Sequence, residues 1–537
     1  MGDRDDQSNG SWTQRRLTRR VILRYSLLSA AALTVTAACQ QAAAPAPTTA
    51  PAAAPKPTTA PAAAPTTAPA AAAKPTTAPA AAATTAPAAA AKPTTAPQAA
   101  PAVSKVNING KFVVVQSRDF HPDHNAMIEA KIKEFGTQMG YPLEHSYIEA
   151  YAGSGDVVQK LTAAVQAGDA PDLLIHTLPT STLHFLDIVE DVDALEQEIE
   201  KEHGKTFKGS QLAHRLENKW YSIPHFSRAG GYFVRQSAFK DLGIDALTAS
   251  FDYTQLRDAA LAMSKPDKEF WGWGMTVNRS GDGDTNVRNA IFQWGGQIAD
   301  ETGQIVVLNK EPYRTNAIAG LSWLKETFTD PKYATMLPPG VGGWTDPSNN
   351  EAWLGGKIGI TTNAGTVYAK AVVDKNPVAD DTYMILQPKG LGPNGRALMG
   401  DPATMNFYIM KGAKNRAASE QLIKFLHTQA TYKEMFKIST GYVYPAREWG
   451  WDQPEITENS YGKHVTGTWQ KILQDPSGYL GSPYPGSPNP QIGALDTSNF
   501  LTDMFGEVLG GKSVEDALKS AHDRAVRTFK EFGAKGE

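Results

Sequence analysis

From residue 105 to the C-terminus the chain switches repeatedly between two spacings of apolar residues. Short runs rich in apolar and β-branched residues at 111–116, 172–176, 231–235, 357–362, 382–387 and 404–410 predict strands. Between them the spacing becomes helical. Ile128, Ile132, Phe135 and Met139 share one helical face, and Val158, Leu161 and Val165 share another. A last helix is predicted after Gly510-Gly511-Lys512, with Ser513 as N-cap, Asp516 three residues on, and a buried face of Leu518, Ala521, Ala525 and Phe529. Strands alternating with helices predict an α/β body. At about 430 residues that body exceeds what one hydrophobic core supports, so two lobes are expected.

The first hundred residues follow other patterns. Six arginines and three acids in residues 1–24 precede an apolar stretch, Tyr25 to Ala38, which ends in small residues before Cys39. A basic region, a short apolar region and a small-residue site describe an export signal over residues 1–38. Fourteen residues are too few to span a bilayer, and no later run is longer. Arg19 and Arg20, followed by Val21, Ile22, Leu23 and Arg24, resemble a twin-arginine signal. Cys39 after Thr36-Ala37-Ala38 resembles the acylation site of a lipoprotein, with Thr36 where that pattern prefers Leu.

Residues 39–104 are almost wholly Ala, Pro and Thr, with Lys56, Lys74 and Lys92 each opening a Lys-Pro-Thr-Thr-Ala-Pro unit. These repeats contain nothing large and apolar to bury, so they predict a disordered, extended tether rather than a solenoid. Sixty such residues reach on the order of 150 Å when extended. Their Thr and Pro content also permits O-glycosylation.

Composition narrows the class. The chain is 41% hydrophobic and 20% charged with a net charge of −3, ordinary for a soluble globular protein and without the basic excess of a nucleic-acid binder. With Cys39 as its single cysteine it can form no internal disulfide and no Cys-based zinc site.

Several short motifs then fall in a particular order. Gly168-Asp169-Ala170-Pro171-Asp172 resembles a "G-x-A-P-D" approach to a strand. Trp220-Tyr221-Ser222-Ile223-Pro224 with Gly231-Tyr232-Phe233-Val234-Arg235 resembles "Y-G-I-P … L-Y-Y-N". Asp241-Leu242-Gly243-Ile244-Asp245, Trp294-Gly295-Gly296, Trp353-Leu354-Gly355-Gly356-Lys357, Gly441 to Pro445 and Gly511-Lys512-Ser513 continue the series. Together they are similar to the extracellular solute-binding proteins of ABC importers, the family that includes maltose-binding and other sugar-binding proteins. The resemblance spans most of residues 110–535. It implies a two-lobed α/β periplasmic-binding-protein fold, type II-like, with the ligand cleft between lobes joined by two or three hinge crossovers. Crossovers are expected near 226–231, 387–397 and 441–447. Lobe one is then 105–228 with 397–441, and lobe two is 229–396 with 442–537. The implied activity is capture of a small polar solute by hinge closure and its delivery to a membrane permease, without catalysis and without a cofactor. A monomer tethered by lipid to the outer face of the cytoplasmic membrane is expected, with no nucleic-acid partner.

Ligands of such folds sit at strand ends facing the cleft. The candidates are Asp119, Phe120 and His121 after the first strand, Thr177 after the second, and His225 and Arg228 at the first crossover. Asn278, Asp284, Trp294, Trp344 and Asn363 stand in loops of lobe two, with Arg279, Asp282 and Asp346 beside them. Asp401 and Tyr442 stand near the returns. Carboxylates, amides and guanidinium groups suit hydroxyl edges and aromatic rings suit the C–H faces of a sugar. Mono-, di- and oligosaccharides fit, and Arg228 and Arg279 leave room for an anionic solute. Trp271, Trp273, Trp353, Trp449 and Trp451 read equally well as packing.

His121, Asp123 and His124 lack a visible third ligand, and the residues around Asp282 and Asp284 lack the terminal Glu of a calcium loop, so no metal site is expected. The sequence contains no Gly-x-Ser-x-Gly elbow, no His-Glu-x-x-His helix and no phosphate-cradling loop. A glycoside hydrolase needs only two carboxylates, so an anchored hydrolase stays open as an alternative, as does a surface adhesin.

Overall fold

Ten strands carry the architecture: β1 (Phe112–Arg118), β2 (Leu143–Glu149), β3 (Leu173–His176), β4 (Ile223–Arg228), β5 (Gly230–Arg235), β6 (Trp271–Gly274), β7 (Ile358–Ala364), β8 (Thr382–Ile385), β9 (Thr404–Ile409) and β10 (Val443–Pro445). The computed structural model describes residues 105–537 except 120, 150–153, 393–403, 476–485, 487 and 497. The export segment with Arg19 and Arg20, Cys39, the tether, Phe120 and Asp401 lie outside the described residues.

The strands form two sheets. Six run in the order β10-β4-β9-β3-β1-β2, and four in the order β8-β5-β7-β6. In the first sheet β1 pairs in parallel with β2 and β3, whereas β9 runs antiparallel to both β3 and β4. Parallel neighbours need a crossover, and helix α1 (Pro122–Met139) supplies one. His121 caps its first turn, Pro122 occupies the first turn where no N–H is needed, and Gly140 ends it at φ 64°. Its apolar stripe, Ile128, Ile132, Phe135 and Met139, is buried against Phe112 and the rest of the lobe-one core.

Helices α2 (Gly281–Phe292) and α4 (Asp346–Leu354) pack on the second sheet, α3 (Tyr313–Thr329) packs on α2, and α5 (Val514–Glu531) packs on α3. Ser513 caps α5 by accepting from the Asp516 N–H, and Leu518, Ala521, Ala525 and Phe529 are all fully buried, as the spacing predicts. Six predicted strands are present with ends shifted by one or two residues. Of the other four, β6 carries Trp271 and Trp273 at alternate positions, and β2, β4 and β10 are a polar edge strand, a Pro-containing strand buried on both faces, and a three-residue edge.

Two sheets mean two lobes, and the first crossing between them is short. A single residue, Ala229, joins β4 to β5. Gly231 follows at φ 144°, a conformation L side chains rarely adopt. Gly365 approaches so closely that its N–H donates to the Ala229 carbonyl at 2.5 Å, and a Cβ there would stand 2.7 Å from that oxygen. The second crossing runs from β8 to β9. The third falls later than residues 441–447. Val443 to Pro445 pair with β4 inside the six-stranded sheet, and Arg447 is held in lobe one by Glu196 at 2.8 and 2.7 Å. The chain leaves through the helix Gly467–Leu473, where Trp469 Nε1 donates to Ser227 Oγ at 3.2 Å and Thr468 Oγ1 donates to the Met384 carbonyl at 2.9 Å.

Candidate functional site

Strand direction decides which residues meet. In lobe one, β1 and β3 are parallel neighbours and end at the same edge. The antiparallel β9 starts there, with Thr404 opposite Ser227, and so β4 ends there. β10 also begins there, with Val443 opposite Arg228. Asp119, Thr177, Arg228 and Tyr442, far apart in sequence, therefore share one sheet edge. In lobe two, Gly230 stands opposite Ala364 and Gly274 beside Thr361, which brings Asn363 and the loop 275–280 to the edge adjoining Ala229. The two edges adjoin the crossing at Ala229 from either side.

The lobe-one edge is built around a buried carboxylate. Asp119 Oδ1 accepts from the Tyr442 hydroxyl and lies 3.6 Å from Arg228 Nη1. Arg228 Nη1 also reaches the Tyr442 oxygen at 3.5 Å. The Asp119 backbone is pinned by Asn125, whose side chain accepts from its N–H and donates to its carbonyl. His121 is buried, and its Nδ1 accepts the His124 N–H at 3.3 Å. Burial holds the His121 imidazole below its ordinary range, against Asp123 and Asp119, which favour the charged form. His124 packs edge-on to Phe226 with Ser439 Oγ 3.1 Å from its Nδ1, and burial pushes it down to about 4. Thr177, half-buried, donates its N–H to His176 Nδ1 at 2.8 Å.

The lobe-two edge is a set of amides and carboxylates at two helix starts. Asp346, in the first turn of α4, accepts the N–H groups of Gly281 and Asp282 at 3.2 and 3.0 Å, closing the start of α2. Asn349 Nδ2 donates to Asp282 Oδ2 at 2.8 Å, and Asn363 Nδ2 to Asn350 Oδ1 at 2.6 Å. Burial first, and the Asp346 carboxylate next, push Asp282 up to about 8. Asn278 donates to the Gly343 carbonyl at 3.3 Å, beside the half-buried Trp344, whose ring lies close to Gly274 of β6. Asp284 is paired with Arg288 one turn on, and Arg279 makes a bidentate pair with Asp503 at 2.6 and 3.1 Å.

Two expected site residues belong elsewhere. His225 stands mid-strand in β4, 1% exposed, with its ring 4.7 Å from Phe407 and 5.2 Å from His427, because helices cover that face of the sheet. Trp294 is 4% exposed and packs on Tyr253 and Trp323 with ring centroids 5.1 and 5.4 Å away. Asn349 and Asn350 are additions. Their signal was Asp346-Pro347 after Thr345, a helix start that puts both on its first turns. Among the described residues, no group of three or more His, Cys, Asp or Glu could hold a metal ion, and no helix is long and apolar enough to cross a membrane.

Two α/β lobes, a one-residue hinge and polar strand ends facing each other across it define the architecture of a solute-binding protein. The chain belongs to the bacterial extracellular solute-binding protein family, whose model matches residues 148–433. Its fold is that of a maltose-bound MalE3 from T. maritima, with TM-score 0.62 at 17% identity over 78% of this chain and 99% of that one. A ribitol-bound ABC transporter solute-binding protein from Agrobacterium radiobacter K84 gives TM-score 0.60 at 15% identity, covering 80% and 98%. A laminaribiose-bound sugar transporter from Arthrobacter chlorophenolicus A6 gives TM-score 0.60 at 14% identity, covering 78% and 98%. No curated protein matches the sequence.

Proposed function

We propose that this protein captures an uncharged carbohydrate or polyol between its lobes and delivers it to the permease of an ABC importer. One observation carries the choice of an uncharged ligand. Three arginines near the cleft edges already face a carboxylate: Arg228 faces Asp119, Arg279 faces Asp503, and Arg288 faces Asp284. An anionic solute would have to compete with those carboxylates, whereas hydroxyl groups can share them. The fold neighbours carry maltose, ribitol and laminaribiose, all uncharged.

In this reading Asp119, Arg228, Tyr442 and Thr177 bind from lobe one. Asn278, Asn363 and Asp282 bind from lobe two, and the Trp344 ring stacks on a C–H face of the sugar. Cys39 is acylated after export through the twin-arginine route, and residues 39–104 space the body from the membrane.

The test is a thermal-shift screen of the full-length protein against maltose, laminaribiose, ribitol, D-mannitol, sugar phosphates and amino acids, with analysis of each solute afterwards. A ligand at 100 times its Kd adds about 2.7 kcal/mol to stability, enough to raise Tm visibly. The expected result is a saturable shift with an uncharged sugar or polyol recovered intact. A shift only with sugar phosphates or amino acids would overturn the ligand class, and a hydrolysed sugar would overturn the transport reading.

A further inference from the structure

The lobes also meet away from the crossings. The short helix Thr180–Phe185 follows β3 and belongs to lobe one. Thr180 Oγ1 lies 2.8 Å from His214 Nδ1 and 2.9 Å from Ser222 Oγ, and Leu183 is buried among Leu174 of β3 and Tyr408 of β9. The helix Pro490–Asp496 belongs to lobe two. Ile492 and Leu495 are buried in the core that holds Leu518 and Phe529 of α5. Gln491 Nε2 donates to the Gly303 carbonyl at 2.6 Å, and the Asp496 carboxylate stands 3.9 Å from Arg288 Nη2.

These two helices touch. They approach closely at Gly493, where a Cβ would stand 3.0 Å from Thr182 Oγ1, so a side chain there would press the helices apart. The lobes are joined as well by two aromatic rings. Phe185 packs on Phe532, the residue that caps the end of α5, with ring centroids 5.4 Å apart and the planes at 49°. Both residues are half-buried. Tilted ring pairs at this separation attract beyond the area they shield. None of Thr182, Phe185, Gly493 and Phe532 is among the strand-end residues assigned to the solute.

The position of this contact gives it leverage. All three crossings meet lobe one on one side of its sheet: the first at β4, the second at β9, and the third against β4 through Trp469 and Ser227. The helix Thr180–Phe185 follows β3, which lies on the far side of β9 from β4. Two strand spacings, about 10 Å, separate β3 from the strand that carries the first crossing. A rotation of the lobes about the crossings therefore parts the two helices while the crossings themselves hardly shift. The contact also adjoins the cleft edge of each lobe. Thr177 stands three residues before the lobe-one helix, and Asp496 of the lobe-two helix lies beside the Arg288–Asp284 pair.

We propose that Thr182 and Phe185 of lobe one and Gly493 and Phe532 of lobe two form a clasp that holds the lobes together over a bound solute without touching it, so that release waits for the clasp to part. Two rings and a close helix contact carry no charge, so the clasp acts alike on every solute that the strand ends accept. The strand ends set which solute binds, and the clasp sets how long it stays. Its effect on the solute rests on the reading of this protein as a solute carrier; the contact between the lobes does not.

A reversible crosslink tests it. The spacing of Thr182 and Gly493 suits a disulfide, whose Cβ atoms lie about 3.5–4.5 Å apart. In the full-length protein carrying Cys39→Ala, the pair Thr182→Cys and Gly493→Cys should oxidise to a disulfide, read by mass spectrometry as the loss of both free thiols. Exchange of radiolabelled maltose, laminaribiose and D-mannitol is then followed before and after reduction. Exchange should stop in the oxidised protein and resume with dithiothreitol. In Phe532→Ser, which involves no thiol chemistry, release should quicken by about fivefold or more, the worth of an aromatic pair and the area it shields, with the association rate within about twofold of wild type. A folded double-cysteine variant that keeps both thiols under oxidation, a disulfide that leaves exchange unchanged, or unchanged release in Phe532→Ser would each overturn the proposal. A disulfide that forms in a protein binding none of these solutes would support the contact and remove the ligand class instead.

Discussion

Glu196 and Arg447 form a buried ion pair, 0% and 3% exposed at their side chains, and it fixes the last strand of lobe one. Substituting Glu196→Gln keeps the shape and removes the charge. The guanidinium then stays in the core with one amide oxygen in place of a carboxylate that accepted from both of its terminal nitrogens at 2.8 and 2.7 Å. Breaking a buried pair from one side costs about 3–5 kcal/mol. The lower end applies here, because the amide oxygen still accepts one bond and the Pro224 carbonyl, 3.4 Å away, accepts another. Arg447→Met leaves Glu196 as the uncompensated charge and should cost about as much. The double variant removes both charges and is expected within about 1 kcal/mol of wild type, since apolar replacements for buried pairs are often neutral or better. Urea unfolding followed by circular dichroism and tryptophan fluorescence measures all four proteins. With two lobes the transition can split, and the loss should fall in the lobe-one step. Single variants costing under about 1 kcal/mol would mean that water reaches the pair. A double variant worse than either single would mean that the two residues do not act on each other. Either result refutes the account of how 443–447 is kept in lobe one.

The two tryptophans from Gly-rich segments should behave oppositely. Trp294→Ala empties a packed site among Tyr253 and Trp323 and should cost about 3–5 kcal/mol of stability, whereas Trp344→Ala should cost less stability and weaken binding of the sugar identified by the screen at least tenfold in titration calorimetry; the reverse pattern would remove Trp344 from the site. Cys39→Ala should move the protein from the membrane to the soluble fraction of cells that export it, and unchanged fractionation would remove the lipid anchor.

How far the sequence could be read depends on whether its information is local. Ser513 to Phe529 carries a cap and a buried stripe within one stretch, and both are as predicted. The six predicted strands are bounded by their own turn residues. β4 was not legible, because Pro224 interrupts its run and both faces are covered, so no alternation remains. His225 was misread for the same reason: a strand without a polar face makes its histidine a core residue. Trp294 was misread through Gly295 and Gly296. Glycines next to a tryptophan suggest a loop, but Gly320, where a Cβ would fall 1.5 Å from the Ala290 carbonyl, shows what they serve. Helices α2 and α3 touch backbone to backbone, and Trp294 fills the space beside that contact.

The cleft was legible as a list of residues and not as a set of charges. Asp119 meets Tyr442 across 323 positions, and Arg279 meets Asp503 across 224. No spacing rule reaches that far. Read singly, Arg228 and Arg279 invite an anion; read in pairs, they do not. The partner of each arginine is chosen by topology: the antiparallel placement of β9 and β10 brings Arg228 and Tyr442 to the edge where β1 delivers Asp119. A fold shared at 14–17% identity can therefore present differently charged clefts, because the strand ends are conserved positions in space rather than in sequence. The ligand is chosen by which side chains those positions receive, and in this chain they receive carboxylates beside Arg228, Arg279 and Arg288.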